Sequence, residues 1–392
     1  MKALPEIVEH EPSWLQELRQ KAYASYSTLP LPKLRYGLGV GTTLGDLDLE
    51  RVRGQETPGA KVHCADPHIT ILSLREALQE KEDMVKEALT AFPAEKNKLT
   101  AFHAAFVQQG ALVIVPDKLQ AAAPLFIEKN AAGDAIEQFI ILVGKNSSLT
   151  VIETAQSSQP EQPQLRSQAL ILTVGENSRV LYAQLQDWGK KTHGFTYQHA
   201  SLQRDAQLHW CTATRGGTIS QQQFSLSLEG EGADGKTLAL FSGDEHSIFD
   251  VYGEHLHKAS RTTSNILAKA TAEDSAKIIF RGLVQVAEGA AGCNGYQQED
   301  ALLLHEAAEA DMVPNLEIKN NDVKCSHGST IGRLDPEQLF YLTARGIPAE
   351  TAKNMLVEGF FEKAIGTIPD NHIQEQFRML LKRRDQKGQR AE

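Results

Sequence analysis

Three textures follow one another along the chain. From residue 1 to about 110, apolar residues recur at helical spacing between irregular stretches. Trp14, Leu15 and Leu18 stand at helical spacing behind Ser13, which suits an N-cap. A Pro/Gly-rich passage runs from Pro30 to Gly59. Leu72 to Phe92 reads as one amphipathic helix, with Leu74, Leu78, Val85 and Leu89 among its apolar positions. Lys96 to Gly110 reads as another, ended by Gly110.

From about 111 to 332 short β-rich runs recur, most of them bounded by Gly, Asn, Asp or Ser. Examples are Ala111–Val115, Phe139–Val143, Leu149–Glu153, Ala169–Val174, Arg179–Leu185, Gln207–Ala213, Phe224–Gly230, Ile278–Val286 and Asn315–Lys319. No long helical period interrupts them. A faint internal repeat runs through this region: Ile141–Glu153 resembles Leu172–Gln184, and Gly144 and Gly175 are 31 residues apart. The strand–polar turn–strand shape recurs at about 28 to 40 residues. A β-solenoid explains this, because a single coil cannot bury its apolar face and stacked coils share one core. A β-sandwich or barrel gives a similar rhythm, and the pattern alone leaves both open.

From 333 to 392 the helical period returns. Asp335 fits an N-cap, Pro336 the first helical position, Gly346 the C′ position, and Pro348 the start of the next helix. Ala349–Gly366 is amphipathic, and Asn371–Gly388 forms a last helix with a basic end that suits its dipole. The expected division is therefore a helical and irregular region over 1–110, a β core over 111–332 and a helical domain over 333–392.

The 392 residues carry a formal charge of −10, with 41% hydrophobic residues, enough for a sizeable core. That balance argues against a broadly basic nucleic-acid surface. The beginning of the sequence has no apolar signal segment, and no run approaches the roughly 18 apolar residues of a membrane span. The expectation is a cytoplasmic protein that engages neither nucleic acid nor membrane. There are 4 cysteines, Cys64, Cys211, Cys293 and Cys325, with no C-x-x-C pair, which argues against a zinc ribbon or cluster site built within one chain.

Familiar catalytic motifs are missing. There is no phosphate loop, so the chain is not expected to hydrolyse ATP itself, and no G-x-S-x-G or H-E-x-x-H. The glycine-rich run Gly37–Gly45 lies in an irregular passage and is a poor dinucleotide site. The densest polar cluster is Asn320–Thr330. There Cys325 and His327 alternate in a strand and share a face, roughly 6 to 7 Å apart along the backbone. A thiolate and an imidazole so placed suit iron or zinc, but two ligands do not close a site. A buried cysteine beside a hydrogen-bonded histidine is the plainer reading. Glu254, His255 and His257 also alternate, with metal binding or strand-edge hydrogen bonding as readings. Cys211 beside Trp210 reads as core, and Cys64, Cys293, His199 and His209 have no visible role.

The stretch Leu316–Pro348, with its K-C-S-H-G-S-T core, closely resembles the C-terminal signature of the SufB/SufD family of iron–sulfur cluster assembly subunits. His257–Val286 and Ala301–Ile318 resemble the same family, so the likeness is strong over about residues 255 to 365. K-C-S-H-G-[SA]-T points to the SufD branch, since SufB typically carries an E-H-E-x-x-T sequence there. The resemblance implies a right-handed parallel β-helix flanked by helical regions, and so favours the solenoid. It implies a non-catalytic scaffold in complex with a SufB-like subunit and a SufC-like ATPase, which binds the ATP. The nascent iron–sulfur cluster would form between subunits, with His327 as this chain's ligand and Cys325 beside it. The ATPase would dock on Asp335–Gly366, including Asp335, Pro336, Leu339, Phe340, Arg345, Gly346 and Phe360. The family's complex has been linked to reduced flavin, and no residue here marks a flavin site. Two rival readings are a SufB-like or homodimeric scaffold and a β-helix carbohydrate-active enzyme; the latter lacks a clear carboxylate pair.

Overall fold

The structure, a computed structural model, describes residues 11–32, 34–36, 40–42, 49, 59–129 and 133–382. Most of the glycine-rich run 37–45 and the basic tail beyond 382 lie outside the described residues. The chain opens with α1 (Ser13–Thr28), a small hairpin of β1 (Leu34–Tyr36) and β2 (Val40–Thr42), then β3 (Lys61–Cys64) and β4 (Thr70–Ser73). Next come α2 (Leu74–Glu80), α3 (Glu82–Ala91) and α4 (Lys98–Phe106). Sixteen strands then alternate between two sheets. One sheet takes β5 (Gln109–Val115), β7 (Ala135–Val143), β9 (Gln164–Val174), β11 (Thr192–Leu202), β13 (Ile219–Leu228), β15 (Ile248–His257), β17 (Lys277–Val286) and β19 (Glu309–Ile318). The other takes β6 (Leu125–Lys129), β8 (Ser148–Gln156), β10 (Arg179–Trp188), β12 (Gln207–Gly216), β14 (Asp234–Gly243), β16 (Thr263–Ala272), β18 (Cys293–Leu303) and β20 (Val323–Arg333). The chain ends in α5 (Pro336–Ala344), α6 (Ala349–Ile365) and α7 (Asn371–Leu381).

Each strand of the series pairs in parallel with the strand two places on, so the two sheets form a β-solenoid of eight coils. The sandwich and barrel alternatives are excluded, since both would pair neighbouring strands. The repeat around Gly144 and Gly175 is real: Gly175 N donates to Val143 O at 2.9 Å, and a β-carbon on Gly175 would strike the Gly144 carbonyl carbon at 2.7 Å. The turns at one corner place Asn146, Asn177, Asp205 and Asp274 at φ between 53° and 56°, a conformation Asn and Asp tolerate best after glycine. Asn177 Nδ2 donates to Asn146 Oδ1 at 2.8 Å, so the turns themselves stack as a ladder.

The N-terminal end is closed. Strands β3 and β4 pair antiparallel with β6 and β5 and cover the first coil. Helices α1 and α4 pack on the outer face of the odd-numbered sheet against Leu165, Ala169 and Phe195. Helices α6 and α7 fold back over the even-numbered sheet, burying Phe361 and Phe377 beside Ala183, Cys211 and Leu238. The C-terminal end is open: β19 and β20 each have a strand partner on one side only.

Several local expectations need correction. Ser13 is the first residue of α1 rather than its cap; Pro12 holds the cap position without a side-chain bond. The span 72–92 is not one helix. Leu72 belongs to β4, and Ser73 starts α2 with a reciprocal capping box to Glu76. Lys81, at φ −138° and ψ 40°, separates α2 from α3. Gly110 does not end α4, which stops at Phe106; it lies inside β5 at φ +139°. The caps of α5 match the reading: Asp335 Oδ1 accepts from Glu337 N at 2.9 Å, Pro336 is the first helical residue and Gly346 has φ +86°. The last helix does not run to Gly388: it ends at Leu381, where Lys382 turns to an extended conformation. Among the described residues no helix is long and apolar enough to cross a membrane.

Candidate functional site

Parallel coils in register align side chains in columns that run the length of the solenoid. Leu149, Val180, Leu208, Gly235, Ser264 and Gly295 form one column, and Cys325 is its last member. Val151, Tyr182, Trp210, Thr237, Ile266 and Gln297 form another, which ends at His327. Both columns point inward: every non-glycine member before the last is buried. Cys325 and His327 therefore alternate in β20 as their spacing predicts, and both face the core axis from its final coil. No described strand pairs with the far side of β20, and there Cys325 is only half-buried and His327 exposed.

The coil beneath leaves room for the thiol. Gly295 is paired with Cys325, and a β-carbon there would stand 3.2 Å from Cys325 Sγ, 2.8 Å from Val284 Cγ1 and 3.5 Å from His257 Nε2. Burial pushes the Cys325 thiol pKa up, partly offset by the Gly295 peptide N–H, so the free chain does not favour a thiolate. Among the described residues no group of three or more His, Cys, Asp or Glu is gathered to hold a metal. The pair is half of a site at most.

Behind it lies a polar interior that spacing alone did not reveal. His257 uses both ring nitrogens, with Thr262 Oγ1 at 2.7 Å from Nδ1 and Ser264 Oγ at 2.8 Å from Nε2. Thr262 Oγ1 also lies 3.1 Å from Cys293 Sγ. His255 Nε2 meets Thr237 Oγ1 at 2.8 Å. His255 and His257 are thus interior residues and not strand-edge ones, and burial holds their pKa values down to about 3 and about 4. Glu299 and Gln297 are fully buried in the coil below His327. Neither Glu299 carboxylate oxygen nor Gln297 Oε1 has a hydrogen-bond partner of good geometry, although the Gly282 and Val313 peptide N–H groups lie close to the carboxylate. Glu299 Oε1 and Gln297 Oε1 converge on Gly282, at 2.1 and 2.6 Å from where its β-carbon would be. Cys211 is core, as expected, and burial pushes its thiol pKa up.

The C-terminal helices present a second exposed feature. Helix α5 buries none of its residues, and Phe340 and Tyr341 are 73% and 58% exposed. The Arg345 guanidinium caps the Tyr341 ring at 4.8 Å. Leu339 is half-buried, while Asp335, Pro336, Arg345 and Gly346 are exposed. Phe360 sits partly in the chain's own packing, beneath Lys269 Nζ at 4.1 Å.

Comparison with known proteins bears on all of this. The family described as "SUF system FeS cluster assembly, SufBD core domain" matches residues 126–360. An iron–sulfur cluster assembly SufBD family protein of Staphylococcus saprophyticus is 26% identical over 308 residues, covering 78% of this chain and 66% of that protein. A counterpart from Staphylococcus aureus strain MRSA252 is 27% identical over the same length and coverage. The chain thus spans a little under two thirds of the curated relatives it matches. With a family match over well more than half its length, this chain belongs to the SufBD core family of SUF-system iron–sulfur cluster assembly proteins.

Proposed function

We propose that the chain is a SufD-like scaffold subunit, without catalytic activity of its own, that works in the cytoplasm beside a SufB-like subunit and a SufC-like ATPase. The observation that carries this reading is the placement of Cys325 and His327 on an edge strand that lacks a second neighbour, at the open end of the solenoid. An edge strand with exposed Val313, Ile318 and Ile331 around it calls for a covering partner. The K-C-S-H-G-S-T sequence supports SufD over SufB. In this reading His327 ligates an iron of the forming cluster as neutral imidazole, while the partner supplies thiolates. The cluster is cargo, assembled and passed on. Cys325, whose thiol is held protonated by burial, becomes competent only when iron or a partner cation displaces its proton. The ATPase docks on α5 and α6 through Asp335, Pro336, Leu339, Phe340, Arg345, Gly346 and Phe360, of which Phe360 is partly packed against the chain itself.

The test is His327→Ala in the co-expressed complex, purified without oxygen. The expected result is an intact complex with a cluster content reduced by at least tenfold in iron and acid-labile sulfide. A normal cluster load in the variant refutes the ligand role. Failure of the wild-type chain to co-purify with a SufB-like subunit refutes the scaffold reading.

A further inference from the structure

A second concave site lies away from β20, between the turn that leads into α4 and the outer face of the odd-numbered sheet. Its volume is about 440 Å³, within the range of small-molecule sites. The solenoid builds its floor. Tyr197, Gln223, Tyr252 and Arg281 follow one another in a single outward column, one per coil. Successive members stand about 4.8 Å apart at the backbone. The opposite wall comes from the N-terminal region. Phe92 meets the Tyr197 ring edge-on at 5.0 Å, and Lys96 Nζ stands 5.8 Å from the centre of the Tyr252 ring.

The polar groups divide into occupied and open ones. Arg281 pairs with Asp250, and Gln221 Nε2 donates to Asp250 Oδ2 at 3.3 Å. Gln223, half-buried between the two tyrosines, makes no side-chain hydrogen bond to any described residue. Burial pushes the Tyr197 pKa up to about 12, so its hydroxyl stays protonated and able to donate. At the rear wall His103, 3% exposed, meets Ser167 Oγ through Nδ1 at 3.0 Å, with the Gln138 side chain also close to its ring. The exposed Lys96 ammonium closes the rim.

An open amide flanked by aromatic rings suits a flat heterocycle with donors and acceptors on its edge. A carboxamide matches the N6/N7 edge of adenine in two hydrogen bonds, and every base offers a π-face to an aromatic ring. The lysine at the rim suits an anionic substituent. We propose that this cavity binds a purine nucleoside monophosphate, with Gln223 reading the ring edge, Tyr197 and Tyr252 lining its faces and Lys96 meeting the phosphate. The site is independent of the cluster-assembly reading and of any ATPase partner.

The test is calorimetric titration of the intact chain, alone, with AMP, adenosine and ribose 5-phosphate. AMP is expected to bind saturably and to outcompete both fragments. Lys96→Ala should weaken AMP by about tenfold and leave adenosine unchanged, the effect of one charge-assisted contact. Gln223→Ala should weaken AMP and adenosine alike by about tenfold. Lys96 is exposed, so its replacement decides the phosphate role even if a change at Gln223 disturbs folding. Absence of saturable AMP binding overturns the proposal. So does ribose 5-phosphate binding as tightly as AMP, or an AMP affinity indifferent to both substitutions.

Discussion

Glu299 offers the sharpest test of the interior described above. Its carboxyl is fully buried, and neither oxygen has a hydrogen-bond partner of good geometry. Burial raises its pKa from 4.5 to about 8; the nearby peptide N–H groups of Gly282 and Val313 favour the charged form but do not offset desolvation. A raised folded-state pKa means that the neutral form is the one the fold accepts. The associated stability is fully present below pH 4.5 and is lost as pH rises through about 8. A shift of this size corresponds to about 5 kcal/mol across the whole window, and to about 3 kcal/mol at pH 7, where the unfolded chain is ionised and the folded one is not. Glu299→Gln keeps the shape and removes the titration. Its amide also brings donors within reach of Gln297 Oε1, an acceptor without a hydrogen-bond partner. The variant should therefore melt near the wild type at pH 5 and above it at pH 7, with the gap widening to pH 9. Hydrogen exchange should locate the alkaline loss in β17, β18 and β19, the strands around the Glu299–Gln297 chamber. A gap that stays constant between pH 5 and pH 9, or a variant less stable than wild type throughout, would refute the argument.

Three further perturbations probe other parts of the structure. Lys129 and Glu153, 2% and 1% exposed, pair at 2.6 Å inside the first coils, with Gln184 and Tyr182 also donating to the carboxylate. Lys129→Met should cost about 3–5 kcal/mol by chemical denaturation because it strands a buried charge, and adding Glu153→Gln should recover most of that; equal losses in the single and double variants would deny the coupling. Gly110→Ala places a β-carbon 1.7 Å from Gln138 O at φ +139°, so it should lower the melting temperature by several degrees, whereas Gly332→Ala, with no atom within 4 Å, should be neutral. Phe340→Ser should change stability by less than about 0.5 kcal/mol yet abolish capture of the ATPase partner in pull-down; retained capture would move the docking surface elsewhere.

What could be read from the sequence follows from where the period-two signal survives. Strands such as Ala169–Val174 and Ile278–Val286 stand out because their inward positions are aliphatic or aromatic. Strand β11 and the first half of β18 do not, because Gln198, Gln297 and Glu299 occupy inward positions and erase the alternation. The helix over 72–92 misled for a related reason: its apolar spacing is helical throughout, and only the Ser73–Glu76 capping box marks where the strand stops. The C-terminal caps were legible because Asp, Pro and Gly each act locally.

The candidate site divides along the same line. That Cys325 and His327 share a face needs only the two-residue step along β20. That they face inward, over Gly295 and Gln297, depends on a register set by coils about 30 residues apart, and no local pattern encodes it. The same register brings Cys293 to Thr262, 31 residues earlier, whose hydroxyl also meets His257. It also explains the cysteine count. Two of the four cysteines are buried in the core, and among the described residues no third ligand is gathered beside Cys325 and His327. An inward-facing thiol and imidazole on a coil with no successor are positioned for a surface that continues the stack. Under the proposed function, the shortage of ligands and the uncovered last coil have one answer, a covering partner that supplies both.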